Sequence, residues 1–273
     1  MSVRFEKWQA LGNDYVIVEA AVLPFELTPE RVRRVCDPHF GIGSDGVLLL
    51  TPVEDPAHVA ELRIFNPDGS EAELSGNGAR EAVLYLRGAG WTAEDTFSVI
   101  TKAGPVRPTI TAPGEVRMEI GRARDEGTGT LTSAGREWAY RAVNVGNPQC
   151  VVAVADAVES LDLGEIGPGI EANTELFPNR TNVSFTRVEG SVVRARIFER
   201  GVGETLSSGT GASGAAVAAF LDGASSPLTV ELDGGRLTVD VSPELDLTLT
   251  GHAEPICRGE LSDELVRALE GLG

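Results

Sequence analysis

The chain has 273 residues with a formal net charge of −18, and 42% of its residues are hydrophobic. That length suits one large or two medium domains, and the ordinary hydrophobic content excludes a disordered chain. The acidic balance argues against nucleic acid and anionic membranes as partners. Residues 1–11 have no apolar signal core, and no apolar run is long enough to span a bilayer, so no membrane partner is expected.

The cysteines and histidines are sparse and unclustered. They are Cys36, Cys150, Cys257, His39, His58 and His252. The cysteines show no CxxC spacing, and no histidine has a second ligand at metal-binding spacing. We therefore predict no metal site, no disulfide framework and a reduced, cytoplasmic setting.

Taken in chain order, the first half predicts a mixture of helices and strands. Its elements are a helix from Thr28 to about Cys36, a strand at 61–65, a helix at 79–87 and a hairpin of 97–101 with 106–111. Thr28 is a good N-cap and Pro29 suits the first helical position. Asn, Pro, Asp and Gly at 66–69 form a turn that ends the strand.

The second half predicts elements of the same kinds. They are a strand at 191–198, an apolar helix at 212–221, a hairpin of 228–232 with 236–241, and a C-terminal helix begun by Ser262. The helix at 212–221 is hydrophobic on nearly all sides, which is typical of a buried helix. Asp233, Gly234 and Gly235 are good residues for the hairpin turn.

The chain also repeats itself at a fixed interval. Residues 63–65 (Arg-Ile-Phe) recur at 196–198, and the Ser-Gly-Asn-Gly-Ala of 75–79 recurs as Ser-Gly-Thr-Gly-Ala at 208–212. Glu71 and Glu204 keep the same spacing, and the Gly-Asn pair at 12–13 recurs at 146–147, an interval longer by one residue. A chance match of two glycine-rich loops is disfavoured, because the strand before each loop matches as well.

The repeat predicts an α+β fold of two pseudo-symmetric halves, each a mainly antiparallel sheet wrapped around a central apolar helix. We place the first half at 1–117, with the C-terminal helix 262–273 packing on it, and the second half at 118–261. A pseudo-twofold axis would relate the halves, and a site is expected at their junction.

Each Ser-Gly-x-Gly turn is predicted to begin a helix. The N–H groups and the positive end of a helix N-terminus favour an anion, and glycine allows close approach to the backbone. Two such turns that grip one carboxylate would place Ser75 and Ser208 on opposite faces of the ligand. Two-base racemisation needs that arrangement, whereas the plainer alternative is that both serines are only N-caps.

Seven ordered motifs over nearly the whole chain resemble the diaminopimelate epimerase family. They are Leu11 to Tyr15, Asp37 to Gly46, Phe65 to Glu73, Gly76 to Arg80, Gly146 to Pro148, Arg180 to Val183 and Glu199 to Thr205. The resemblance implies two α+β domains with the site in the cleft between them, a cofactor-independent reaction and a homodimer. It also implies interconversion of LL- and meso-diaminopimelate in the cytoplasm, for lysine and peptidoglycan precursor synthesis.

The resemblance further implies binding roles for matching positions. The expected ligands of the substrate's amino and carboxylate groups are Asn13, Asn66, Asn147, Asn182 and Arg200. Arg200 suits a distal carboxylate, because its guanidinium offers a bidentate fork. The carboxylate of the reacting centre is expected at Gly76 and Asn77 and at Gly209 and Thr210.

Three of the four positions that carry the family's chemistry differ in this chain. Ser75 and Ser208 stand where the resemblance places cysteines, and Gln149 stands where it places a histidine; only the acidic helper, Glu199, matches. A thiolate is accessible near neutral pH, whereas a serine hydroxyl needs a general base beside it. Gln149 cannot be that base, Glu199 can assist one serine at most, and Cys150 is predicted to point away from Gln149.

Three interpretations remain open at this point. The chain is an epimerase that uses serine, glutamate or water; or a related amino-acid isomerase or lyase with another substrate; or a non-catalytic amino-acid-binding paralogue. A pair of serines engineered to trap a ligand is disfavoured, because such a design does not need Gln149.

Overall fold

The computed structural model describes residues 3–272, and within this range the chain forms five α-helices and nineteen strands. The helices are α1 (Pro29–Cys36), α2 (Gly76–Gly88), α3 (Leu163–Glu171), α4 (Gly209–Leu221) and α5 (Asp263–Glu270). The strands are β1 (Arg4–Ala10), β2 (Asn13–Glu19), β3 (Val47–Thr51), β4 (Ala60–Phe65), β5 (Glu71–Ala72), β6 (Val99–Thr101), β7 (Gly104–Val106), β8 (Thr109–Ala112), β9 (Glu115–Arg122), β10 (Arg124–Ser133), β11 (Arg136–Asn144), β12 (Pro148–Ala153), β13 (Asn182–Glu189), β14 (Val192–Glu199), β15 (Gly203–Thr205), β16 (Leu228–Leu232), β17 (Gly235–Val241), β18 (Asp246–His252) and β19 (Glu254–Glu260).

The chain divides into two compact units. The first consists of the described residues up to Met118 together with those from His252 onward, and the second is Glu119–Gly251. The sheet of the first unit has the order β19-β1-β2-β3-β4-β6-β7, with β5 beside β4. The second unit has the order β10-β11-β12-β13-β14-β16-β17, with β15 beside β14, and its sheet continues through β18 and β9.

The two orders are the same, strand for strand. In both units the second and third sheet positions pair antiparallel, the third and fourth parallel, and the fourth and fifth antiparallel. Register matches too: Val16 lies opposite Val47 as Cys150 lies opposite Val183. The fold is therefore α+β with two pseudo-symmetric halves, as the repeat predicts.

Each sheet carries helices on both faces. In the second unit α4 packs against β11 to β14, β16 and β17, and nine of its thirteen residues are buried, as its all-round apolar sequence predicts. α3 covers the other face, in a cluster that includes Cys150 and Phe185. In the first unit α2 packs against β1 to β4, while α1 and α5 share one core cluster with β2 and β3.

Local signals locate the helix starts. Thr28 accepts a hydrogen bond from the Arg31 N–H and Ser262 from the Leu265 N–H, so both cap their helices as predicted. The two central helices begin three residues earlier than the apolar pattern indicates, at Gly76 and Gly209. The pattern of apolar residues does not reveal the first turn of either helix, because that turn consists of glycine and polar residues.

Two boundaries differ from the sequence predictions. Residues 254–260, placed in the second half, form β19 and pair antiparallel with β1 in the first unit. A local sequence pattern can indicate a strand, but it does not show which distant strand pairs with it. The predicted strand at 106–111 is split, because β7 ends at Val106 and β8 begins at Thr109. Pro108 lies between them and has no N–H to donate to a sheet.

Candidate active site

Ser75 caps α2 and has two hydrogen-bond donors on its hydroxyl oxygen. The Gly78 N–H donates to Ser75 Oγ at 3.1 Å, and the Tyr15 hydroxyl donates to the same atom at 3.3 Å. Tyr15 is buried on β2, and burial raises the pKa of Tyr15 to about 12, so it keeps its proton at neutral pH.

A chain of side-chain hydrogen bonds runs past this turn. Arg80 Nη2 donates to Asn77 Oδ1 at 2.5 Å, Asn77 Nδ2 donates to Asn13 Oδ1 at 3.1 Å, and Asn13 Nδ2 donates to Asp45 Oδ2 at 3.0 Å. Each link fixes which end of an amide is oxygen and which is nitrogen. The chain therefore sets the orientation of two of the predicted binding residues, Asn13 and Asn77.

Arg80 and its neighbour Glu81 are fully buried on α2. Nε and Nη1 of Arg80 and both carboxyl oxygens of Glu81 have no hydrogen-bond partner among the described residues. Burial lowers the pKa of Arg80 to about 10 and raises the pKa of Glu81 well above its usual value, although the charge of Arg80 acts against the latter shift. Burial thus favours the neutral form of Glu81, and Arg80 supplies positive charge near the helix N-terminus.

In the second unit, Ser208 caps α4 and is hydrogen-bonded to Glu199. Ser208 Oγ accepts from the Gly211 N–H at 3.2 Å and donates to Glu199 Oε2 at 2.9 Å. Thr205 donates to the other carboxylate oxygen at 2.8 Å, which fixes the carboxyl group in place. A hydroxyl whose proton is directed at a carboxylate is the arrangement that general-base activation requires.

Gln149 lies beside α4, where its side chain packs on Gly214. Its Nε2 donates to Asn147 Oδ1 at 2.6 Å, and Asn147 Nδ2 donates to Thr210 Oγ1 at 3.4 Å. Gln149 Oε1 is buried without a partner among the described residues. The structure therefore joins three predicted site residues, Asn147, Gln149 and Thr210, at the first turn of α4.

Asn182 and Arg200 are also brought together. Asn182 Oδ1 accepts from the backbone N–H of Arg200 at 2.8 Å, and the exposed Arg200 side chain donates to the Asn179 carbonyl at 2.7 Å. Asn66 is less distinctive, because its amide donates to Ser70 and its backbone closes the turn after β4. The N–H groups of Gly209 and Thr210 precede the first intrahelical bond of α4, as do those of Gly76 and Asn77 in α2.

None of the cysteines occupies a helix-capping position. Cys150 is fully buried on the face of the sheet opposite Gln149, as strand alternation predicts, and burial raises its pKa to about 12. Cys36 lies in the core of the first unit, where burial likewise raises the pKa of its thiol. Among residues 3–272, no group of three or more His, Cys, Asp or Glu side chains forms an arrangement that would hold a metal ion.

Three contributors, Tyr15, Thr205 and Arg80, were not identified from the sequence. Tyr15 lies two residues after Asn13 on a strand, so alternation alone places both on one face. Thr205 comes directly after Glu204 in the sequence. Its hydrogen bond to Glu199 depends on the pairing of β14 with β15, which the sequence alone does not show. Arg80 ends the motif of Gly76 to Arg80, yet nothing local shows that its side chain is buried.

None of the helices in residues 3–272 has the length and apolar content required to cross a bilayer.

Comparison with known proteins gives a consistent picture over the whole chain. A family model described as "Diaminopimelate epimerase" matches residues 5–125 and 141–255. The diaminopimelate epimerase of Synechococcus sp. (strain JA-3-3Ab) is 38% identical to this chain, over 95% of this chain and 98% of the relative. The diaminopimelate epimerase of Cyanothece sp. (strain PCC 7425) is also 38% identical, over 96% of this chain and 100% of the relative.

Solved structures with the same fold are more distant in sequence. A phenazine biosynthesis protein of the PhzF family from Enterococcus faecalis aligns with a TM-score of 0.71 at 17% identity, covering 96% of this chain and all of the other. A hydroxyproline epimerase from Agrobacterium vitis aligns with a TM-score of 0.65 at 16% identity, covering 95% and 92% of the two chains. At these identities the likeness concerns the fold.

Proposed function

Because the chain belongs to the diaminopimelate epimerase family, we propose that it epimerises LL- and meso-diaminopimelate without a cofactor, and that Ser75 and Ser208 replace the thiols expected from the resemblance. The reaction moves one proton from the α-carbon and returns another to its opposite face. It requires both serine-headed helix ends to act on the same α-carbon.

The bond between Ser208 and Glu199 is the observation that carries this proposal. A free serine hydroxyl is too weak a base to remove an α-proton, but a carboxylate 2.9 Å from it can take the hydroxyl proton as the α-proton arrives. In this step the Cα–H proton passes to Ser208 Oγ, and the hydroxyl proton of Ser208 passes to Glu199. The negative charge that develops on the substrate carboxylate is stabilised by the helix N-terminus.

The predicted binding residues support an amino acid with a second, distal carboxylate. Asn13 and Asn147 present amides of defined orientation beside their helix ends, and the exposed guanidinium of Arg200 suits a carboxylate through two parallel hydrogen bonds. Asn182 holds the backbone at Arg200. These groups support an amino-acid substrate, and membership of the family supports diaminopimelate as that substrate.

Both serines also cap their helices, so a purely structural role must be separated from a chemical one. Ser262 provides the matched control, because it caps α5 in the same way and lies outside the candidate site. Ser208→Ala and Ser262→Ala should each cost about 1 kcal/mol of stability through the lost cap. Only Ser208→Ala should abolish α-proton exchange.

The test is incubation with LL-diaminopimelate in D₂O, with α-proton loss followed by NMR and isomers resolved by chiral chromatography. Deuterium entry with meso product, abolished in Ser208→Ala and strongly reduced in Glu199→Gln, supports the proposal. Exchange without epimer, or loss of the amino group, indicates a related isomerase or lyase. Binding by calorimetry without any exchange indicates a non-catalytic binding protein, and either of these outcomes rejects the epimerase.

A further inference from the structure

The two serine-headed turns have hydrogen bonds of opposite direction. Ser208 donates its proton to Glu199, which leaves its oxygen to accept from a ligand. Ser75 receives hydrogen bonds from Tyr15 and Gly78, and a hydroxyl oxygen has two lone pairs. Both lone pairs of Ser75 Oγ are therefore occupied, and its own O–H is left to donate a hydrogen bond to a ligand.

Tyr15 is held firmly in this position. Its ring lies against Gly46, where a Cβ would stand 2.6 Å from Tyr15 Cε1, so only glycine leaves room for it. The side chain is 5% exposed. Burial is the main cause of the raised pKa of Tyr15, and the ionisable groups that add to it when they are charged are Glu81 on α2, Asp45 before β3 and Cys36 at the end of α1.

The second unit has no counterpart of this hydroxyl. The matched register of β2 and β12 makes Gln149 the equivalent of Tyr15. The amide nitrogen of Gln149 donates to Asn147 and not to Ser208. The pseudo-symmetric fold thus carries different chemistry at equivalent positions: an O–H donor beside Ser75 and a carboxylate beside Ser208.

We propose that Tyr15 is a positioning and proton-relay residue that makes Ser75 the proton donor in one direction of the reaction, while Glu199 makes Ser208 the proton acceptor; the reverse direction retraces the same transfers. This inference rests on the proposed epimerase function. As the new Cα–H bond forms, the Ser75 O–H bond breaks, and Ser75 Oγ takes the proton of Tyr15. Tyr15 is left as a phenolate and Glu199 as a carboxylic acid, and exchange with water restores both.

Tyr15→Phe tests the relay, because it keeps the ring and removes one oxygen. Tyr85→Phe is the matched control: it lies in the same unit, and its hydroxyl donates to Glu19 at 2.8 Å, away from Ser75. Each variant is incubated in D₂O with LL- and with meso-diaminopimelate. Deuterium in the recovered isomer is compared with deuterium in the epimer, and affinity is measured by calorimetry.

We expect Tyr15→Phe to slow epimer formation on the order of 10²-fold, which is typical for loss of acid–base assistance. The affinity for diaminopimelate should be unchanged. For one of the two isomers, the ratio of deuterium in the recovered substrate to deuterium in the epimer should rise about tenfold or more. The reason is that Ser208 then returns the exchanged proton to the face from which it came. A merely structural role would not raise this ratio. An unchanged ratio in an active Tyr15→Phe variant overturns the role of Tyr15 alone, whereas a parent protein that forms no epimer overturns the proposed function and this inference with it.

A second measurement covers the case in which Tyr15→Phe does not fold. Replacement of all tyrosines by 3-fluorotyrosine keeps the ring and the hydroxyl and makes the phenol more acidic. If Tyr15 relays a proton, the basic limb of the rate–pH profile should move to lower pH. A profile that does not move rejects the relay.

Discussion

Gln149 lies so close to Gly214 that a Cβ at position 214 would stand 2.9 Å from Gln149 Cβ and Cγ. Gly214→Ala should therefore cost about 1–3 kcal/mol through overpacking, which outweighs a gain of about 1 kcal/mol in helix propensity. In a Gln149→Gly background, which removes both Gln149 Cβ and Cγ, the same change should stabilise by about 1 kcal/mol. Urea unfolding measures both.

The control for this cycle is Gly88→Ala at the end of α2, where a Cβ meets nothing within 4 Å. Gly88→Ala should be equally neutral or stabilising in both backgrounds. If Gly214→Ala has the same effect with and without Gln149, the close packing of Gln149 on α4 is wrong.

Arg80 orients Asn77, and through it Asn13, so its loss should weaken substrate binding. Arg80→Met should raise the dissociation constant for diaminopimelate about tenfold, or roughly 1.4 kcal/mol, which is close to the lower end for a charge-assisted hydrogen bond. Calorimetry gives the value directly. Arg87→Met on the same helix, whose side chain pairs with Asp95 at the surface, should leave affinity unchanged; equal effects of the two changes would contradict the orienting role of Arg80.

Glu81 should make stability depend on pH in a defined direction. Burial raises its pKa in the folded chain above the ordinary value of 4.5, so the unfolded chain loses this proton first as pH rises. The contribution of Glu81 is fully present below pH 4.5 and is lost as pH rises through the raised pKa of the folded state. Glu81→Gln should therefore gain stability relative to the parent as pH increases from 4.5 to 8, in urea titrations. The exposed Glu94 provides Glu94→Gln as control, and a constant difference between Glu81→Gln and parent across this range would show that Glu81 is ionised.

Thiol reagents should separate serine chemistry from cysteine chemistry. Cys257 is exposed, whereas Cys36 and Cys150 are buried and burial raises the pKa of both thiols. Mass spectrometry after iodoacetamide treatment of the native protein should show one modified cysteine, Cys257, with activity retained. Rapid loss of activity, persisting in Cys257→Ser, would place a reactive thiol in the catalytic step and contradict the assignment of Ser75 and Ser208.

The sequence by itself determined the duplication, the α+β class and the helix caps. These features depend on local patterns: the repeat of residues 63–65 and 75–79, the apolar content of α4, and serine or threonine before a helix. Strand alternation was also sufficient to place Gln149 and Cys150 on opposite faces of β12.

Only the tertiary structure decided which side chain is hydrogen-bonded to which serine. Glu199 is nine residues from Ser208 and Tyr15 is sixty from Ser75, and each meets its serine only because strand register and side-chain direction place them together. The same holds for β19, whose partner β1 begins near the other end of the chain. Local residue preferences specify an element but not its distant partner, because that choice is made by burial and packing over the whole unit.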